Sequence, residues 1–216
     1  MKIGCSWSGG KDSCFALMKQ LDKGDELKIV MNVMDENQAY SKSHGLTKEV
    51  LLAQARALGT PIQLASAAWS TYEENFIANL KEIKSRYEIG GMIYGDIDIQ
   101  EHKDWEEKVS AEAGLEAYLP LWHGNRRELV ESIIDAGIRA IIVSCNHTLG
   151  LEFLGEEITK DLIPKLESKG VDVCGENGEY HTLVIDCPLF NESINIQKGE
   201  KVKTDNYCFI ETKIKP

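Results

Sequence analysis

No stretch of this chain approaches the roughly 20 consecutive apolar residues that cross a bilayer, so no membrane-spanning helix is expected. Met1 leads straight into a short apolar run, with no charged segment followed by a long apolar one. The expectation is a soluble, cytoplasmic protein without a signal peptide. Basic residues are in deficit: lysine and arginine number 24 against 35 aspartates and glutamates, a formal net charge of -11. Such a surface repels nucleic-acid phosphates and argues against a general DNA or RNA binder, although it is compatible with a local basic cleft. None of the six cysteines (Cys5, Cys14, Cys145, Cys174, Cys187 and Cys208) forms a C-x-x-C pair. That argues against a zinc knuckle and against a dithiol redox motif. Cys5 and Cys145 fall in apolar runs and read as buried small hydrophobes in a reducing compartment. Internal repeats and low-complexity tracts are absent.

What is present is an alternation of short apolar runs and longer amphipathic ones. Strands are expected at 2–7, 28–34, 62–65, 92–95, 117–122 and 139–144. Helices are expected at 13–21, 46–58, 72–87, 101–113 and 128–136. In the first helix Cys14, Leu17, Met18 and Leu21 recur at i, i+3, i+4 and i+7 and make one apolar face. Alternating strands and helices imply an α/β protein with a Rossmann-like, mainly parallel sheet covered on both faces. After about Cys145 the rhythm changes to a helix at 156–167, a loop at 175–182 and short strands at 183–185, 193–196 and 207–211. The expected organisation is a nucleotide-binding part over 1–145 and a C-terminal α+β part over 146–216, packed on it from the substrate side.

The chemistry is concentrated in Ser8-Gly9-Gly10-Lys11-Asp12-Ser13, between the first strand and the first helix. A helix N-terminus leaves N–H groups unpaired and carries partial positive charge, so it attracts anions. Gly9 and Gly10 let the backbone approach a phosphate, Ser8 and Ser13 offer hydroxyl donors, and Lys11 brings a mobile cation. Asp12 is an odd neighbour for phosphate unless a magnesium ion stands between them. The spacing fits neither G-x-x-x-x-G-K-[ST] nor G-x-G-x-x-G. A plain strand–helix turn would require neither the lysine nor the flanking serines.

This loop resembles the signature of the N-type ATP pyrophosphatases, which cleave ATP between the α and β phosphates, adenylate a substrate oxygen and let a nucleophile displace AMP. The resemblance implies a sheet of the adenine nucleotide α-hydrolase type, with ATP held by the 8–13 loop. It also places adenine near Ser6, Val33 and Met34, with Gly95 and Asp96 close by. A second segment, Gly175-Glu176-Asn177-Gly178-Glu179-Tyr180-His181-Thr182, resembles the G-E-G-G-E-Y-E-T segment of the diphthine–ammonia ligase branch. Gly95-Asp96-Ile97, Leu119-Pro120-Leu121-Trp122, Asp135-Ala136-Gly137 and Leu154-Gly155 follow that branch in order. Members of the branch amidate the carboxylate of diphthine on elongation factor two.

The resemblance therefore implies ATP, magnesium and ammonia as reactants. It implies Lys11, Asp12, Glu176 and Glu179 in the chemistry, with magnesium on Asp12. It also puts His44 and Tyr180 toward the acceptor, while Trp122, after a Pro-containing strand end, suits the acceptor side or core packing equally. Adenylation fits this chemistry, because AMP leaves a carboxyl carbon far more readily than oxide does. Asn177 and His181 depart from the usual glycine and glutamate, and 37–43 does not match the corresponding segment of archaeal and eukaryotic members. Another carboxylate acceptor, a tRNA, or a non-catalytic nucleotide-binding role are the alternatives, and the sequence leaves oligomerisation open.

Two further groupings are weighed and set aside. Asp96, Asp98, Glu101, His102 and Asp104 suit a solvated helix start better than a metal site, Asp96 excepted because it ends a strand at the ligand edge of the sheet. Cys145 and His147 would share a strand face, but the strand context favours a buried thiol.

Overall fold

The computed structural model describes residues 1–42 and 44–215; Ser43, the last residue of the non-matching 37–43 segment, and Pro216 lie outside the described residues. Five strands form the first sheet: β1 (Lys2–Ser6), β2 (Glu26–Met34), β3 (Ile62–Ser66), β4 (Gly91–Ile93) and β5 (Glu116–Tyr118). Their order is β3-β2-β1-β4-β5, and every neighbouring pair is parallel. The crossovers are α1 (Lys11–Leu21), α2 (Lys48–Leu58), α3 (Tyr72–Tyr87) and α4 (Gln100–Ala113). β2 shows why the sheet must be covered twice. Ile29, Met31 and Val33 enter the core shared with α3 and α4, whereas Val30 and Met34 enter the core shared with α1 and α2. A strand whose apolar side chains point to both faces is buried on both. This is the expected Rossmann-like α/β arrangement. The strand order reverses between β1 and β4, and in open α/β sheets the crevice beyond such a switch point holds ligands. The 8–13 loop follows β1, and Gly95-Asp96 follows β4.

The second sheet is antiparallel, in the order β7-β6-β9-β8, with β6 (Arg139–Asn146), β7 (Tyr180–Asp186), β8 (Ile196–Lys203) and β9 (Tyr207–Ile214). It packs on the α1/α2 side of the first sheet. Ile141, Ile142 and Leu183 share one core with Cys14, Leu17 and Leu51. Buried Gln54 joins the two halves. Its Nε2 donates to the carbonyls of Gly9 and Val184, both at 2.9 Å, and its Oε1 accepts from Trp7 Nε1 at 2.9 Å.

Three sequence expectations need correction. The run 139–144 is not a parallel strand: it lies within β6, which pairs antiparallel with β7 and β9, and the boundary expected at 145 falls inside it. An apolar run buried on both faces reads alike in either sheet, and its partners lie far along the chain, from Cys145 paired with Tyr180 to Ser144 paired with Phe209. The helix expected at 156–167 is only α6 (Ile163–Ser168), because 156–158 bond to β6 instead, Ile142 N to Glu156 O at 2.9 Å and Ile158 N to Ala140 O at 2.8 Å. The strand expected at 193–196 is displaced to β8, whose Gln-Lys-Gly-Glu-Lys stretch has no apolar alternation. It is an exposed edge strand, and lysines on such an edge discourage further pairing. The remaining helix, α5 (Arg126–Asp135), begins at an Asn125 cap that accepts from Glu128 N.

Candidate active site

A cavity of about 810 Å³ opens at the switch point, between the 8–13 loop, the N-terminal parts of α3 and α4, and the loop entering β7. Its floor is the first turn of α1. The N-cap Gly10 offers no side chain to that turn, so the amides of Asp12 and Ser13 have no partner from a cap. Ser8 Oγ and Ser13 Oγ are 3.0 Å apart, and Ser8 Oγ accepts from Gly10 N at 3.2 Å. A Cβ on Gly10 would come within 2.4 Å of His44 Cε1, and one on Gly95 within 2.7 Å of Ser13 N. Glycine at these positions is required by close packing around the loop.

Lys11 is 2% exposed. Its Nζ donates to Asp12 Oδ2 at 2.8 Å and to the Cys174 carbonyl at 2.6 Å, and stands 5.1 Å from the centre of the Tyr180 ring. Burial, the largest single influence, favours the neutral amine, but the surrounding groups, Asp12 foremost, together outweigh it and the Lys11 pKa is raised. The other Asp12 oxygen, Oδ1, is buried without a hydrogen-bond partner.

The far end of the cavity is acidic and aromatic, lined by Tyr72, Phe76, Tyr94, Asp96, Trp105 and Glu106. Asp96 Oδ1 lies 2.7 Å from His102 Nδ1. Burial opposes charge on Asp96, but hydrogen bonds from His102 and Glu106 hold its carboxyl below the usual range. Burial, and then the negative Asp96, push Glu106 up to about 11. The pair is thus one carboxylate and one carboxylic acid at neutral pH. Glu106 Oε2 is buried and unpartnered.

The 175–182 segment contributes unequally. Glu176 lines the cavity, accepts from Ile97 N at 3.3 Å, and is raised to about 7 by burial and then by the charges of Asp12 and Asp96. Glu179 does not line it. Its carboxylate accepts from Asp172 N at 3.1 Å, Asn177 N at 3.0 Å and Asn177 Nδ2 at 3.2 Å, so it shapes the loop instead. Asn177 also accepts from Arg126, which forks onto Asp98 at 2.6 and 2.8 Å and reaches Asp172 at 2.8 Å. Tyr180 is buried, and its hydroxyl donates to the Val173 carbonyl. Thr182 Oγ1 accepts from Lys11 N at 3.0 Å, and Val184 N donates to Gly9 O at 2.9 Å.

At the rim, His44 Nδ1 lies 2.8 Å from the Thr182 carbonyl and must therefore carry the proton, which leaves Nε2 with its lone pair. His181 packs beside His44 with ring centroids 4.8 Å apart and the ring planes tilted by 40°. Burial lowers His44 to about 4; burial, then His44 itself, lower His181 to about 3, so both rings are neutral at neutral pH.

The chain matches the profile described as Diphthamide synthase N-terminal domain over residues 1–117, and the one described as Diphthamide synthase C-terminal domain over residues 125–215. The chain belongs to the diphthamide synthase family. Its relatives include proteins named diphthine–ammonia ligase from mouse (29% identical) and human (28%), each matched over 94% of this chain and 85% of the relative. One of the same name from Schizosaccharomyces pombe is 26% identical over 99% of this chain but only 39% of its own length. A solved structure described as a predicted subunit of tRNA methyltransferase from Methanocaldococcus jannaschii aligns with 90% of the chain at 12% identity and a TM-score of 0.41.

In this diphthamide synthase family member, a ligase-type enzyme, the cavity brings together Ser6, Ser8, Lys11, Asp12, Ser13, His44, Gly95, Asp96, Glu176 and Tyr180. Val33 and Met34 do not line it. They close the end of β2 within the two cores. Trp122 lines neither this cavity nor its neighbour, and instead packs on His123 with Lys103 Nζ 5.1 Å from its ring centre. Cys145 and His147 are not paired: the thiol meets the Gly150 carbonyl at 3.3 Å and the imidazole the Thr204 carbonyl at 3.0 Å. Sequence reasoning missed Tyr72, Phe76, Trp105 and Glu106. One signal for Glu106 was present, since it shares the buried α4 stripe with Val109 and Ala113 at i+3 and i+7.

Proposed function

We propose that this enzyme uses ATP to adenylate a carboxylate and then joins ammonia to it, releasing AMP and pyrophosphate. The observation that carries the reading is Lys11: a buried cation in an anion-binding loop, tied at the same time to Asp12 and to the segment that carries Glu176. The cavity presents Asp12, Asp96, Glu101 and Glu176 around that one lysine. A triphosphate would be repelled by such a wall unless a divalent cation stood between them. The unpartnered Asp12 Oδ1 fits that need, and no cluster of three or more side-chain metal ligands exists among the described residues. That suits magnesium, which is held by one or two carboxylates together with phosphates and water. Bound there, it would neutralise the departing pyrophosphate.

ATP supplies the adenylyl group that converts a carboxylate oxygen into part of a good leaving group. Lys11 and the first-turn amides of α1 hold the phosphates and oppose the charge that develops at the reacting centre. Glu176, ionised in part at neutral pH, takes a proton from ammonium so that the free amine attacks. His44 Nε2 takes the second proton as the amide forms and AMP departs. Glu179 and Tyr180 position this loop. In this reading the parallel-sheet half binds nucleotide and the antiparallel half receives the acceptor; the relatives' name, diphthine–ammonia ligase, supports diphthine as that acceptor, and we take it to be carried on elongation factor two. We place the reaction in the cytoplasm; among the described residues no helix is long and apolar enough to cross a membrane.

The test is incubation with ATP, magnesium, ammonium and diphthine-bearing elongation factor two, with nucleotides read by chromatography and the factor by mass spectrometry. AMP, pyrophosphate and an amidated factor are expected. ADP as the nucleotide product would overturn the adenylation chemistry.

A further inference from the structure

Arg126, the first residue of α5, gathers three separate segments of the chain. Its Nε and Nη2 donate to Asp98 at 2.8 and 2.6 Å, and its Nη1 to Asp172 at 2.8 Å and to Asn177 Oδ1 at 3.2 Å. Asp98 follows β4 in the parallel-sheet half, whereas Asp172 and Asn177 belong to the loop that enters β7. Among the described residues, Arg126–Asp98 is the one ion pair that joins residues 1–117 to residues 125–215.

Asp172 passes this hold on to the backbone. Its Oδ2 also accepts from Glu176 N at 2.9 Å, and its Oδ1 from Cys174 N at 3.2 Å. The Cys174 thiol donates to the Arg126 carbonyl at 2.9 Å, while the Cys174 carbonyl takes Lys11 Nζ. Asp98 acts from the other side, because the amide of its neighbour Ile97 donates to Glu176 Oε1 at 3.3 Å. One guanidinium therefore grips both carboxylates that flank Glu176, one bonded to its backbone N–H and one beside the donor to its side chain. A planar fork of this kind fixes direction as well as charge. It also supplies a cation among Asp98, Asp172, Glu176 and Glu179, which would otherwise repel one another.

Resting on the reading of Glu176 as the group that takes a proton from ammonium, we propose that Arg126 is its positioning residue. It locks the 172–177 loop to the connection between β4 and α4 and so aims the Glu176 carboxylate into the nucleotide cavity. Arg126 does not itself line that cavity, so it acts through Glu176 and not on a substrate.

The experiment has two arms, both on the intact enzyme. The first is amide hydrogen exchange without substrates. The Cys174 and Glu176 amides are expected to exchange at least about tenfold faster in Arg126→Gln than in wild type. Arg126→Lys, which keeps the charge but loses the fork, should fall between them. Unchanged exchange in the parallel sheet shows that the variants are folded; where Arg126→Gln is not, Asp98→Asn carries the same test. The second arm is steady-state amidation with ATP and ammonium varied in turn. Arg126→Gln is expected to lower kcat about tenfold or more with the KM for ATP within about twofold, and Arg126→Lys to recover part of the loss. In a Glu176→Gln background the same substitution should cost less than about twofold further, because its target is already gone. Wild-type exchange at Cys174 and Glu176 in Arg126→Gln, or a full further loss in the Glu176→Gln background, would overturn the assignment. If wild type itself forms no amide, the adenylation reading fails, and the exchange arm still decides whether Arg126 holds the loop.

Discussion

The imidazole of His44 packs directly on Gly10 and hydrogen-bonds the Thr182 carbonyl at 2.8 Å. One side chain from the segment before α2 thereby contacts the phosphate loop and β7 together, and it stands at the rim of the cavity.

Gly10→Ala is a sharp test of that contact. The new methyl would meet His44 Cε1 at 2.4 Å, so either the ring moves or the loop does. Overpacking of this kind costs about 1–3 kcal/mol. Urea denaturation should show that loss, and adding His44→Ala should restore much of it, a non-additive result expected of residues in contact. Additive losses would mean that the two do not meet.

Glu176 gives a prediction in pH. Its pKa is raised to about 7 by burial and by Asp12 and Asp96, so its ionised, proton-accepting form grows as pH rises through that value. With free ammonia held constant, the rate of amide formation should climb with pH and level off above about 7. Glu176→Gln should lower the plateau and remove the inflection. An unchanged profile in the variant would remove Glu176 from proton transfer.

Glu106 gives a prediction in stability. The native state keeps a proton that the unfolded chain releases above the ordinary value near 4.5, because burial and Asp96 hold the folded pKa up to about 11. The native state therefore loses ground as pH rises between those values, by up to about 1.4 kcal/mol per pH unit. Glutamine cannot release a proton and can still donate to Asp96. Glu106→Gln should thus gain stability over wild type as urea titrations move from acidic to mildly alkaline pH. A constant difference between the two proteins across that range would contradict a buried, protonated Glu106.

How much of this was legible in the sequence followed from how local each feature is. The phosphate loop was legible because β1, the glycines, Lys11 and the start of α1 are contiguous, and their chemistry needs no distant partner. The 175–182 segment was recognisable as a unit, but the division of labour between Glu176 and Glu179 was not. That division depends on the amides of Asp172 and Asn177, which only the folded loop turns toward Glu179. Glu106 reads as one more acid on a polar helix until α4 lies against Asp96. The placement of β6 was hidden for a similar reason. An apolar strand buried on both faces does not say which sheet it joins, whereas the partners that decide it, β7 and β9, come much later in the chain. β8 escaped because its composition is that of a solvated loop and only its edge pairing with β9 makes it a strand.

The central claim is that an acceptor carboxylate oxygen is adenylated beside Lys11 and Asp12. The most direct measurement labels the acceptor carboxylate with isotopically heavy oxygen, runs the reaction with ATP, magnesium and ammonium, and weighs the recovered AMP. One heavy oxygen in the AMP phosphate is the expected result, because the bond to the carboxyl carbon breaks when ammonia enters. AMP without label, alongside a formed amide, would show that the carboxylate oxygen never joined the α phosphate and would contradict the account.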